Sequence, residues 1–489
     1  MTDKKNALAK IVGEENVIDS PEILDTYSRD KSFAHPMRPW FVVKPKNGDE
    51  VQRIVKWANK SRTSLVPVSS GPPHFYGDTV PSVTETVIVD LRSMKRIIRV
   101  DRRNRMVHIE PGVTYDQIQP ALFNEGLRVS TPLLPRGNKS VITSLLERQP
   151  TLTPKYQWSL LEPLRCLEVV LGNGEILWTG EAGAHPHSLK QQWEKGLVQA
   201  DPRGPAETDW YRLVSGAQGS MGIVTWASVK CEILPKVHRF FFLSAQNLRD
   251  LIDCAYRLLK ARLGDEFLFL NNSNLACLLG ETADEITILK EKLPPWTILI
   301  GIAGRDILPE EKVDTYEEDI RGIAQDSGLS FAPGIPGASG QKVLDLLLRP
   351  SREPFWKFTY KGGCQDIFFL TTLDQTPRFV NAVYTLAEEL QYPSPEIGIY
   401  IQPQHQGVAC HFEISIPFDP NHMTEAARVE TLLVKASEEL LRQGAYFSRP
   451  YGIWANIAYN RDAQSTIVLK EIKKVFDPNH VLNPGKLCF

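Results

Sequence analysis

The sequence predicts an α+β fold in two parts: a first domain of short strands around a glycine-framed loop, and a second built on an antiparallel sheet with helices on one face. Three observations predict it. An apolar strand over residues 65–68 runs straight into a loop framed by Gly71 and Gly77, and a second strand follows at 87–91. Asn173-Gly174 separates two strand-like runs, which is a strong hairpin signal. From about residue 237 to 440, strands alternate with amphipathic helices, the pattern of an α+β layer.

The elements follow in order. Asp49 can cap a helix whose Val51, Ile54, Val55 and Ala58 recur at helical spacing. Strands are expected over 65–68, 87–91, 97–100 and 107–109, then a helix over 115–126 that ends on glycine. The hairpin pairs 167–171 with 175–178, and a strand over 224–234 ends where the pattern changes at Pro235. In the second part, strands are expected over 240–243, 297–302, 367–371, 397–402 and 409–416. Helices are expected over 248–263, 376–390 and 423–441.

Composition bounds the function. With 489 residues, 42% of them hydrophobic, the chain can bury two cores. A net charge of −2 gives no electrostatic case for nucleic acid or an anionic membrane surface. No stretch approaches a membrane span, and the first residues lack a signal-peptide core. Seven cysteines are scattered without C-x-x-C spacing, so a reducing cytoplasm is the expected location.

The loop Ser70-Gly71-Pro72-Pro73-His74-Phe75-Tyr76-Gly77 can bring backbone N–H groups close to a diphosphate, except at the two prolines, which have none. Two further signals stand downstream: Glu110-Pro111-Gly112-Val113-Thr114 and Gly219-Ser220-Met221-Gly222-Ile223-Val224. Together they suggest a bound dinucleotide in a site that is not of the Rossmann type, since no G-x-G-x-x-G opens a helix after a strand. Taken in order with "LEVVLGNGEILWTG" and "FDPNHVLNPGK", these segments resemble the flavoprotein family of vanillyl-alcohol oxidase and p-cresol methylhydroxylase over nearly the whole chain.

The resemblance implies FAD and a PCMH-type FAD-binding domain of two α/β subdomains over 1–236. It also implies a substrate-binding cap over 237–440 and a segment over 441–489 that returns to the FAD domain. The residues it assigns to FAD are Ser70 to Gly77, Pro111, Gly112, Lys139, Ser140, Gly219, Gly222, Ile223, Val224 and Lys486. His74 stands where some sugar-oxidising relatives link their flavin, and reads here as a hydrogen-bond donor or an exposed residue. Asp366 stands at the linking histidine of the phenol oxidases. A carboxylate is not an attachment group for flavin, so the FAD is expected to be non-covalent.

The substrate positions depart from the family. Tyr76 and Tyr446 match the two tyrosines that hold a phenolate in phenol-oxidising members. The arginine that follows the second tyrosine there is Phe447 here, and the nearest arginine is Arg449. The family's catalytic aspartate is Pro135, flanked by the cations Arg136 and Lys139, which would favour an anionic substrate. Strand alternation puts His411 and Glu413 on one face and Phe412, Ile414 and Ile416 on the other. The expected substrate site is therefore Tyr76, Arg136, His411, Glu413, Tyr446 and Arg449. His405 with His411 offers two metal ligands and no third, so no metal is expected. The resemblance implies an FAD-dependent oxidoreductase that takes a hydride from a small alcohol, phenolic compound or hydroxy acid. Two alternatives stay open: a 2-hydroxy-acid dehydrogenase of the glycolate or D-lactate type, and a flavin subunit of a larger electron-transfer complex. The expected partners are the small-molecule substrate, an electron-acceptor protein and a further copy of the chain.

Overall fold

The computed structural model describes residues 2–155, 162–461 and 463–489. Three sheets organise them. The first has four strands in the order Val17–Ile18, Phe41–Val43, Thr86–Asp90, Ser64–Val68, the last three parallel. A parallel pair needs a crossover, and the helix Gly48–Ser61 supplies it, burying Val51, Ile54, Val55 and Ala58 against the sheet. Its cap is Asn47 and not Asp49. The Asn47 side chain accepts the Glu50 N–H at 3.0 Å, and Asp49 already lies in the first turn.

The second sheet has five strands in the order Ile97–Asp101, Met106–Ile109, Gly222–Lys230, Leu164–Leu171, Ile176–Trp178, all antiparallel. The expected hairpin closes at Gly174, whose φ of +83° suits glycine. The strand Gly222–Lys230 is drawn from far along the chain into the middle of the sheet, which brings the 216–224 segment beside the glycine loop.

The third sheet has seven strands in the order Ser330–Ala332, Val237–Ala245, Trp296–Gly304, Glu266–Asn271, Gly398–Gln404, Ala409–Phe418, Gly363–Thr371. One face carries the helices Leu248–Lys260, Pro309–Asp326, Thr376–Glu389 and Met423–Arg442 over a core that includes Phe269, Ile300, Phe369, Phe412 and Ile414. The other face is not bare, as the sequence reading supposed. The helices Asn272–Leu279, Ala283–Lys292 and Gly340–Leu347 cover Phe240, Phe242, Leu268 and Leu299 there. This second cover ends near the middle of the sheet. Beyond it, the last three strands turn Tyr400, Gln402, His411, Glu413, Ser415, Asp366 and Phe368 toward the first two sheets. Cross-strand register fixes this set, because Tyr400 and Phe368 both lie opposite Glu413, and Asp366 lies opposite Ser415. The site lies where the helical cover stops.

The C-terminal tail closes the molecule. Leu65 donates its N–H to Val481 O, Asn483 donates to Leu65 O, and Lys486 Nζ donates to Gly77 O at 2.7 Å. A fully buried Lys473–Asp477 pair anchors the turn before it; Asp477 also accepts the N–H groups of Val481 and Leu482. Among the described residues, no helix is long and apolar enough to cross a membrane.

Candidate active site

A cavity of about 490 Å³ runs from the glycine loop to the polar face of the seven-stranded sheet. At its first end, the loop is braced from behind by residues 136–138. Gly71 donates its N–H to Asn138 O, Asn138 Nδ2 donates to Pro72 O, and Arg136 donates to both Gly71 O and Asn138 Oδ1. Gly77 gives its N–H to Asp30 Oδ2 at 2.6 Å. The two framing glycines therefore spend their donors on the protein. The N–H groups of His74, Phe75 and Tyr76 make no hydrogen bond among the described residues, and these three line the cavity. Burial, then Arg136 and Lys139, push His74 down to about 3, so it is neutral.

Further lining comes from Ser70, Pro111, Lys139, Gly219, Gly222, Ile223, Val224 and Lys486. Gly71, Pro72, Pro73, Gly112 and Ser140, assigned to the cofactor from the sequence, do not line the cavity. Gly112 packs so tightly that a Cβ would meet Met94 O at 2.7 Å, and Ser140 gives its N–H to Ser70 Oγ. Gly219, at φ +70°, lies where a Cβ would meet Pro67 at 2.5 Å. The result is a groove walled by close backbone and ending in unspent N–H donors, which fits an anionic dinucleotide such as FAD.

The far end holds a charged cluster. Lys357, 8% exposed, donates to Asp366 Oδ1 at 2.7 Å and to Glu413 Oε1 at 2.6 Å. Glu413 Oε2 lies 3.1 Å from His411 Nε2, and His411 Nδ1 lies 3.4 Å from Arg449. Burial pushes Glu413 up, but Lys357 and His411 together outweigh it and hold the carboxyl well below its ordinary range. Asp366 goes the other way: burial, joined by Glu413, outweighs Lys357 and raises it. Ser415 Oγ also donates to Asp366 Oδ1, at 2.9 Å. The contacts of Asp366 thus converge on one oxygen.

Arg449 is 6% exposed, stacks 4.1 Å from the centroid of Phe368 and donates to Glu147 O at 3.5 Å, with no carboxylate partner among the described residues. Tyr76 and Tyr451 pack on the same Phe368, their own ring centroids 4.8 Å apart. Burial raises both tyrosines well above their ordinary value, so their hydroxyls are neutral donors. Neither hydroxyl bonds to a described residue. Lys139, by contrast, is neutralised by Glu147.

Five of the six substrate residues expected from sequence border or back this cavity. Tyr446 does not. Its backbone bridges Leu370 at the sheet edge, which turns its ring outward to 66% exposure and sends Phe447 into the core. The tyrosine that lines the cavity beside Tyr76 is Tyr451, two residues beyond Arg449. Lys357 was missed as well. A lysine inside the aromatic run Phe355-Trp356-Lys357-Phe358 was the available signal. His405 sits in a turn away from His411, with left-handed φ of +52°.

Residues 39–180 match the model of an FAD binding domain. A glycolate oxidase subunit of Bacillus subtilis is 24% identical to the chain, covering 99% of it and 96% of the relative. The flavoprotein subunit of 4-cresol dehydrogenase from Pseudomonas putida is 20% identical over 97% of the chain and 93% of its own length. A crystal structure of p-cresol methylhydroxylase with substrate bound superposes with a TM-score of 0.84 at 18% identity, covering 100% of this chain and 96% of that one. The chain carries an FAD binding domain over residues 39–180 and resembles the PCMH-type FAD-linked oxidoreductases. The enzyme is accordingly an FAD-dependent oxidoreductase, and its α+β fold is that of the p-cresol methylhydroxylase flavoprotein. The groove from Ser70 to Gly77 lies largely inside the matched domain, while the Lys357 cluster and Arg449 lie outside it.

Proposed function

We propose that this enzyme oxidises a small phenol at a benzylic C–H, with the phenolic oxygen held by Tyr76, Tyr451 and Arg449. The observation that carries this reading is the convergence, around Phe368, of two buried tyrosine hydroxyls and one buried guanidinium that find no hydroxyl partner and no carboxylate among the described residues. Two neutral O–H donors beside a fixed cation favour a phenolate. In a site closed to water, each charge-assisted bond is worth about 1.5–3 kcal/mol. The aromatic walls Phe355, Trp356 and Tyr400 suit a ring better than a short aliphatic acid.

The groove lined by Ser70, His74 to Gly77, Gly219 and Gly222 to Val224 would hold FAD, without a covalent link because Asp366 stands in place of the linking histidine, and the flavin would supply the hydride acceptor for that carbon. The chain's own residues position the ring and move the proton. Pro135 offers no carboxylate, and Asp366 supplies one from the opposite wall. Its raised affinity for a proton suits it to accept the proton of a benzylic hydroxyl, while Lys357 and His411 keep Glu413 ionised beside it. The 4-cresol dehydrogenase relative is the flavoprotein subunit of its enzyme, and an electron-acceptor protein is the matching expectation here.

The test is anaerobic reduction of the flavin by 4-alkylphenols, 4-hydroxybenzyl alcohols, their O-methyl ethers and 2-hydroxy acids. Reduction by the phenols that is lost on O-methylation supports the reading. Reduction by the 2-hydroxy acids alone overturns it.

A further inference from the structure

Behind Lys357, separate from the main cavity, lies a second cavity of about 10 Å³. It is lined by Ser273, Asn274, Cys277, Trp356, Lys357 and Cys364, and further by Glu396, Gly398, Ser415 and Pro417. That volume is close to one water molecule, and a buried water needs two to four polar partners to be stable. Two lining residues offer them with unusual directness. Asn274 and Trp356 are 2% and 6% exposed, and the Asn274 Nδ2 and Trp356 Nε1 groups are fully buried donors with no hydrogen-bond partner among the described residues. Leaving two such donors unpaired costs about 1–3 kcal/mol each. The Asn274 amide reaches this place because residue 398 is glycine; a Cβ there would meet Asn274 Oδ1 at 2.1 Å.

The cavity also joins two ends of a path. On one side, Ser415 Oγ is hydrogen-bonded to Asp366 Oδ1 at 2.9 Å. On the other, Glu396 reaches partial exposure at 20% and pairs with Lys361. A water that accepts from Asn274 and Trp356 has its two protons left to donate, and Ser415 Oγ and Glu396 are acceptors on the same wall.

We propose that this cavity holds one water, and that Asp366, Ser415, the water and Glu396 form the exit route for the proton released by substrate oxidation. The inference rests on the reading of Asp366 as proton acceptor. With an alcohol substrate, the hydroxyl proton goes to Asp366 as the C–H pair leaves as hydride to the flavin acceptor. Asp366 then donates to Ser415 Oγ, the water turns to accept the serine proton in place of one of its two N–H donors, and it gives its own proton to the Glu396 carboxylate and on to solvent. No group changes oxidation state along the route. Ser415 and Glu396 are positioning residues for proton transfer and do not touch substrate.

The experiment uses the holoenzyme with whichever benzyl alcohol or 2-hydroxy acid of the panel reduces the wild type, so loss of the phenol reading leaves it standing. A crystal structure at high resolution is expected to place one water within hydrogen-bond distance of Asn274 Nδ2, Trp356 Nε1 and Ser415 Oγ. Ser415→Ala and Glu396→Gln are expected to slow anaerobic flavin reduction by about 10- to 100-fold and to raise its solvent isotope effect, with FAD content unchanged. Ser415→Thr, which keeps the hydroxyl, should recover most of the rate. A dry cavity overturns the proposal, as do wild-type reduction rates and isotope effects in both variants.

Discussion

Lys357→Met is the most informative perturbation of the site. The lysine ammonium compensates two carboxylates at 2.7 and 2.6 Å, and all three side chains are at most 13% exposed. Removing it leaves Asp366 and Glu413 close together in a dry wall with only His411, Ser415 and Cys364 beside them. Breaking a buried pair in this way costs about 3–5 kcal/mol, a large share of the 5–15 kcal/mol that typically holds a domain folded. The loss depends on pH with a definite sign. Without the cation, both carboxyls bind protons more tightly when folded than when unfolded. The penalty is therefore complete at pH 8 and shrinks as pH falls and the folded form takes up protons. Urea unfolding followed by tryptophan emission at pH 5 and pH 8 measures it. The deficit against wild type should be larger at pH 8, and the neutral combination Lys357→Met with Asp366→Asn and Glu413→Gln should recover most of it. A deficit below about 1 kcal/mol at both pH values, or no recovery in the combination, would show that the cluster is solvated and that its charges do not depend on Lys357.

The remaining expectations concern the clamp, the loop and the cofactor. Tyr451→Phe and Arg449→Met should each slow flavin reduction by phenols, by about 1–3 kcal/mol of transition-state stabilisation, while Tyr446→Phe leaves it unchanged; equal effects of the two tyrosine variants would remove Tyr451 from the clamp. Gly71→Val should abolish FAD content, because its Cβ would meet the Asn138 side chain at 2.8 Å and displace the brace behind the loop. A folded Gly71→Val variant with full flavin absorbance would refute that. Burial, then Glu147, raise Asp78 in the cavity wall from 3.8 to about 7. The apo-protein should therefore lose stability as pH rises from about 4 to 7, since its folded form holds a proton that the unfolded chain releases. Asp78→Asn should flatten that dependence in thermal unfolding scans. Acid precipitation should carry all yellow colour into the supernatant; colour in the pellet would reveal a covalent bond.

The sequence by itself determined the parts set by local pattern. The Gly71–Gly77 loop, the Asn173-Gly174 hairpin and the helical spacing of Val51, Ile54, Val55 and Ala58 are short-range features, and each reappears in the structure. Alternation in the strand Ala409–Phe418 also placed His411 and Glu413 opposite Phe412 and Ile414, because side-chain direction in a strand depends only on parity. What sequence missed was decided by partners far along the chain. The strand Glu266–Asn271 is a short apolar run that reads equally as buried helix, and only pairing on both sides makes it the centre of the sheet. Whether Gly71 could give its N–H to a ligand depended on Asn138, and where Tyr446 points depended on its bridge to Leu370. Lys357 became a site residue because two strands in register set Asp366 and Glu413 within reach of one ammonium. Such charge pairing across elements has no local signature, since its energy comes from distances that only the packed sheet fixes.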